Sequence, residues 1–202
     1  MAVLERLRSD HATALLAFER ENRAYFAASV PDRGDAYFAD FAERHRALLD
    51  EQETGAIRFH VLVGEGGEIL GRFNLVDLVD GEAELGYRVA ERATGRGVAT
   101  AGVREVCRLA RETYGLSRLT AVTTLDNAGS RAVLGRVGFG VVGSVTLDGR
   151  AGAAYELDLG ELAFDQGLPS GSAPSSSPGA AASGGSGPAV PRIPADSPPG
   201  SP

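Results

Sequence analysis

Apolar and polar residues alternate with two different periods along the first part of the chain, and the changes of period mark its elements. Val3–Leu7 reads as a short strand. Ser9 or Asp10 is placed to cap a helix through Leu15, Leu16 and Phe18, and Tyr25, Phe26 and Pro31 read as a connection. From about Asp35, Tyr37, Phe38, Phe41, Leu48 and Leu49 recur at helical spacing. Arg58–Val63 and Ile69–Val79 flank the turn Gly64-Glu65-Gly66-Gly67, which predicts a hairpin. After a second turn at Asp80-Gly81, Glu82–Val89 alternates. Ala83, Leu85, Tyr87 and Val89 share one face, and Glu82, Glu84, Gly86 and Arg88 the other. A helix is expected from Val98 to Tyr114, with Val98, Gly102, Val103, Val106 and Leu109 on its buried side. Leu119–Leu125 is rich in β-branched residues and reads as a strand. Asn127–Val137 reads as a short helix stopped by Gly138, and Phe139–Leu147 with Ala153–Leu159 as a last hairpin around Asp148-Gly149-Arg150. The order is β-α-α-β-β-β-α-β-α-β-β. Its antiparallel hairpins are at odds with a doubly wound dinucleotide fold, in which strand and helix alternate throughout.

Composition changes this picture at one place. Of the 35 residues Leu168–Pro202, 24 are Pro, Gly or Ser, and nine of the ten prolines lie there. Such a segment has little to bury and cannot repay its ordering entropy. The expected organisation is one domain over residues 1–165 and a disordered tail rich in Pro, Gly, Ser and Ala over 166–202. Pro188-Ala-Val-Pro191 also fits a P-x-x-P ligand pattern, which arises easily by chance in this composition. The net charge is −7, and the tail carries one Arg and one Asp, so the excess sits on the folded part. That disfavours a nucleic-acid partner held through phosphates. It is compatible with an amine substrate without requiring one.

No apolar run is long enough to span a bilayer, which needs ~20 residues. Glu5 and Asp10 fall where a signal peptide would be apolar, so a cytoplasmic protein is expected. The single cysteine, Cys107, sits near the buried side of its helix and reads as core. His11, His45 and His60 have no ligand spacing and read as structural, so no metal is expected.

Residues Val89–Thr100 join a strand to a helix through Gly95 and Gly97. A helix start leaves backbone N–H groups unpaired at the positive end of its dipole, and glycines let a ligand approach them. Arg96 adds a cation suited to phosphate. Taken alone, T-G-R-G-V-A-T suits a tight turn as well as an anion site.

Its surroundings break the tie. Counting from Val89, Thr94-Gly95-Arg96-Gly97-Val98-Ala99 resembles the Gln/Arg-x-x-Gly-x-Gly/Ala motif of the GNAT superfamily of N-acetyltransferases, with Thr94 where that pattern has Gln or Arg. Ala83-Glu84-Leu85-Gly86-Tyr87-Arg88-Val89 resembles the preceding strand of the ribosomal-protein alanine/serine (Rim-type) branch. Asp126–Leu134, followed by Gly138-Phe139, is similar to that branch's N-x-x-S helix and closing G-F. The three motifs lie in the right order within a resemblance that covers roughly Leu4 to Leu159.

The resemblance implies a three-layer α+β fold with a mixed, mostly antiparallel, splayed sheet. It implies acetyl-CoA as co-substrate, bound by Thr94, Gly95, Arg96, Gly97, Val98, Ala99 and Thr100 around the pyrophosphate. The backbone of Tyr87 and Val89 and the side chain of Asn127 would then hold the pantetheine arm. Acetyl transfer needs a base for the ammonium, a polarised thioester and a proton for the thiolate. Glu84 is the candidate base, directly or through water, and Glu82 shares its face. The Rim-type motif makes Ser130 the candidate donor to the thiolate, since Asn127–Val137 contains no tyrosine. Phe26 and Tyr37 fall in the region that walls the acceptor site in this fold. The acceptor expected is a protein N-terminal α-amine. A small-molecule amine, or a non-catalytic acyl-CoA sensor, stays open. So does the choice between a monomer and a homodimer paired through the last hairpin.

Overall fold

The computed structural model describes residues 2–160. The expected tail and its P-x-x-P segment lie outside the described residues. Seven strands form one sheet in the order β1-β2-β3-β4-β5-β7-β6. They are β1 (Val3–Arg6), β2 (Arg58–Val63), β3 (Ile69–Val79), β4 (Glu82–Val89), β5 (Arg118–Thr124), β6 (Gly140–Leu147) and β7 (Arg150–Asp158). Helices α1 (Ala12–Glu21), α2 (Arg23–Ala27), α3 (Gly34–Ala39) and α4 (Phe41–Thr54) precede β2. Helix α5 (Val98–Glu112) links β4 to β5, and α6 (Ala128–Val137) links β5 to β6.

Adjacent residues of β3 and β4 show why there are three layers. Arg72 and Arg88 meet Glu19 of α1, while Phe73 lies under Gly102 of α5 and Tyr87 reaches Ser130 of α6. Alternation along each strand thus sends odd and even residues into different layers. A Cβ on Gly102 would come within 2.1 Å of the Phe73 ring, so the bare helix backbone sets how closely α5 lies on the sheet. The core is continuous across both layers, with Phe18, Phe59, Phe73, Leu15, Leu75 and Leu119 buried.

Every neighbouring pair of strands is antiparallel except β4 and β5. Those two run parallel and pair only through Glu82–Glu84 with Arg118–Thr120. Beyond that point β4 stays with β3 to Val89, and β5 stays with β7 to Thr124. The sheet therefore forks. The expected mixed, splayed sheet is present, and both Asp-Gly turns form, with Asp80, Gly81, Asp148 and Gly149 at positive φ.

Local expectations need four corrections. Ser9 and Asp10 do not cap α1. They lie in a 3-10 turn, and Asp10 accepts from Arg8 at 3.1 Å. Tyr25 and Phe26 are helical, not connecting. Asn22 ends α1 by donating to Phe18 O at 2.8 Å, and its own carbonyl restarts the helix by accepting Phe26 N–H. The helix expected from Asp35 is two helices, broken at Asp40, which turns the chain so that Tyr37 and Phe41 both face inward. Helix α5 stops at Glu112, where Gly115 at φ +66° lets Leu116 N–H bond back to Ala110 O.

Candidate active site

The fork brings the expected groups to its two faces. Glu84 is the last residue of β4 paired with β5, so it stands where the strands part. It lies on the α1–α4 face. Burial raises its carboxyl from the ordinary 4.5 to about 7, and the negative charge of Asp77 adds to the shift. Asp77 sits at the β3 irregularity between Val76 and Val79, with φ +52°. Glu82 is two residues nearer the closed end and is drawn into an ion pair with Arg118 at 3.4 Å.

Beyond Glu84, one edge of β4 has no strand beside it. Ala90 N–H donates to Leu70 O on the β3 side at 2.9 Å. Successive amides of a strand point to opposite sides, so the N–H groups of Tyr87 and Val89 point into the fork. An extended ligand can add to this edge as a strand would.

On the α5–α6 face, Tyr87 stacks on Phe73 with ring planes 15° apart, and its hydroxyl lies 3.1 Å from Ser130 Oγ. Burial pushes the Tyr87 phenol up, against the lowering effect of its Ser130 hydrogen bond. Ser130 itself is fixed by Asn127, whose Oδ1 accepts Ser130 N–H at 3.0 Å as the cap of α6. The cap uses one lone pair of that oxygen, so the amide nitrogen and the second lone pair of Asn127 remain for a ligand. The Tyr87 hydroxyl is a contact that strand periodicity does not reveal. Alternation gives its face, but pairing with Ser130 depends on where α6 lands.

The loop at the mouth has the backbone its glycines predict. Gly95 and Gly97 lie at φ +72° and +76°, a region costly for other residues, and space above both is open. The first helical bond of α5 is Ala101 N–H to Gly97 O, which leaves the N–H groups of Val98, Ala99 and Thr100 without helical partners. Thr94 behaves differently. Its N–H and its hydroxyl both donate to Glu91 O, so it shapes the turn, while Arg96 stands exposed beside it.

Phe26 and Tyr37 are buried on the α1–α4 face. The Arg88 guanidinium lies over Phe26 at 5.3 Å, and that of Arg33 over Tyr37 at 4.5 Å. Cys107 is fully buried and pushed up to about 12, too high for a thiolate at neutral pH. The histidines have structural partners. His11 lies 3.3 Å from Glu5, His45 bonds Arg8 O and His60 bonds the Tyr114 hydroxyl at 2.7 Å. Among the described residues, no group of three or more His, Cys, Asp or Glu could hold a metal, and no helix is long and apolar enough to cross a membrane.

A sheet forked at its one parallel pair, with a glycine turn opening a helix at the mouth, defines an acyl-CoA N-acyltransferase fold. The chain belongs to the GNAT acetyltransferase family, whose domain model matches residues 2–140. It is 36% identical over 126 residues to the Bacillus subtilis (strain 168) protein "Putative ribosomal N-acetyltransferase YdaF". That match covers 60% of this chain and 65% of the relative, just under two thirds of its length. Among solved structures, ribosomal-protein-S5-alanine acetyltransferase from Vibrio fischeri shares the fold at TM-score 0.74 and 17% identity, over 80% of this chain and 98% of that one. Mycobacterium smegmatis RimJ, solved in complex with CoA-disulfide, does so at TM-score 0.72 and 24% identity, over 79% and 83%.

Proposed function

We propose that this chain transfers acetyl from acetyl-CoA to a primary amine, with a protein N-terminal α-amine as the acceptor. The observation that carries the reading is Glu84, a carboxylate raised to about 7 at the point where β4 and β5 separate. A base in that range accepts a proton from an ammonium at neutral pH and can release it again. Membership of the GNAT family supports acetyl-CoA as donor, as does a relative of the same fold solved with a CoA disulfide. The name of the Bacillus subtilis relative supports a ribosomal-protein N-terminus as acceptor.

The two faces divide the work. The helix start at Val98, Ala99 and Thr100, with Arg96, takes the pyrophosphate, and the free edge at Tyr87 and Val89 holds the pantetheine arm. The thioester then lies in the fork, where Val89 N–H polarises its carbonyl. The amine enters from the α1–α4 face, past Phe26 and Tyr37. It loses a proton to Glu84, directly or through water. Its nitrogen attacks the carbonyl carbon, the C–S bond breaks, and Ser130 gives the leaving sulfur a proton that the Tyr87 hydroxyl can replace.

The test is release of free thiol from acetyl-CoA across N-terminal peptides and small amines. Release with peptides is expected, and Glu84→Gln should abolish turnover while CoA still binds. CoA binding with no release from any amine would replace this reading with that of an acyl-CoA sensor.

A further inference from the structure

Under α1 lies a charge imbalance that acetyl transfer at the fork does not use. Arg72 of β3 and Arg88 of β4 are register partners on the α1–α4 face, and Arg33 reaches them from the segment before α3. All three converge on one carboxylate. Glu19, whose side chain is 2% exposed, lies 3.4 Å from Arg72, 3.5 Å from Arg88 and 3.7 Å from Arg33. The arginine side chains are themselves only 6%, 15% and 16% exposed in that order.

One carboxylate offsets one of three cations, so two positive charges remain in a site largely shut from water. The nearby acids correct this only in part: at the rim Asp32 and Asp35 share the single cation of Arg23, at 2.6 to 2.8 Å, which leaves one negative charge against those two positive ones. Arg72 has a second acceptor in Asn74, but Arg33 Nε is buried with no hydrogen bond among the described residues. Unpaired buried charge and unmet donors are both costly, and a bound anion removes both costs at once.

The guanidiniums are also preset. Phe26 lies against Arg88 and Tyr37 against Arg33, which holds each planar fork in place. Between them lies a narrow crevice, lined by the acids Glu19 and Asp32 as well as by Arg23, Phe26, Arg33 and Arg88. Arg88 shares its face of β4 with Glu84, four residues further along, which is about 13 Å at ~3.3 Å per residue. An extended peptide spans that gap in a few residues.

We propose that Arg33 and Arg88, with Arg72 adding positive charge behind them, form an anion subsite that takes a carboxylate carried by the acceptor, so that the preferred substrates are amines bearing an acidic group. The carboxylate belongs to an Asp or Glu within the first residues of an N-terminus. The subsite rests on the acetyl-transfer reading of the fork. It also disfavours polyamines, which would bring more positive charge to a cationic crevice.

The experiment compares kcat/KM for C-terminally amidated peptides that differ only in glutamate or glutamine at the second or third residue. The glutamate peptide should win by about 10- to 100-fold, the range for hydrogen bonds to a charged partner. Arg33→Gln, on an irregular segment where folding should survive, should shrink the preference, as should Arg88→Gln. Equal rates for acidic and neutral acceptors would overturn the subsite and leave acetyl transfer standing. If no acceptor turns over, thermal unfolding of the full chain with N-acetylaspartate or its uncharged diamide decides. Protection by the acid alone, lost in Arg33→Gln, keeps the subsite while the transferase reading falls. Protection by neither compound ends both.

Discussion

At the scale of single residues, burial raises both oxygen acids of the candidate site, the Glu84 carboxyl and the Tyr87 phenol. Glu84 is partly buried and gains its proton affinity from desolvation, so it can cycle near neutrality. In the proposed reaction its ionised form is the base, so kcat/KM should rise with pH through about 7 and fall away below it. Glu84→Gln should lower kcat by about 100- to 10,000-fold, and that pH step should disappear from the residual rate. The same shift affects stability with a definite sign. The folded chain binds the Glu84 proton more tightly than the unfolded chain does. Stability from this group is therefore present below pH 4.5, declines as pH rises, and is lost above about 7. Glu84→Gln should consequently be more stable than the parent near pH 8, by roughly 1–2 kcal/mol once solvent screening is allowed for, as denaturant titration can read. Ser130 and Tyr87 are coupled through one hydrogen bond of 3.1 Å. Ser130→Ala and Tyr87→Phe should each slow kcat by about tenfold, and the double variant should lose less than the product of the two, because the second change removes a partner already lost.

At the scale of elements, geometry rests on a few backbone requirements, and Gly102 is the most demanding. A methyl there would meet the Phe73 ring at 2.1 Å, so Gly102→Ala must push α5 off the sheet. The expected cost is about 1–3 kcal/mol in unfolding free energy. The start of α5 moves with the helix, so KM for acetyl-CoA should rise too, and an unchanged KM would show that the loop holds its place independently. The strands and turns of this fold were legible because they are local. Alternation over Glu82–Val89 marks β4 and its two faces, and the two Asp-Gly pairs mark tight hairpins. The break at Asp40 and the helix at Tyr25-Phe26 were not legible, since both are set by where Asn22 and the aromatic side chains pack in three dimensions. Glu84, Ser130 and the glycine loop could be singled out because they lie in short contiguous motifs. The arginine cluster could not, because its members are distant in sequence. Its one local signal is Glu19, an acid four residues after the fully buried Leu15 and therefore on the apolar side of α1.

For the whole molecule, net charge is a poor guide to the site. The chain carries −7, yet its most deeply placed ionic cluster, around Glu19, holds three cations to one anion. Electrostatic energy depends on local separation and desolvation far more than on the total, so an acidic protein can hold a cationic crevice. The segment after residue 167 adds no net charge, since it contains one Arg and one Asp. The strands, both helix layers, the fork and the loop are complete within residues 2–160. A chain ending at Gly167 should therefore match the full chain in unfolding temperature, in kcat/KM with any amine that is acetylated, and in its discrimination between glutamate and glutamine peptides. A scaffold role for the tail, in which Pro188–Pro191 recruits a partner, is compatible with all three results. A shift in kcat/KM on truncation would instead mean that the tail reaches the acceptor face, and a change confined to glutamate peptides would place it at the arginine crevice.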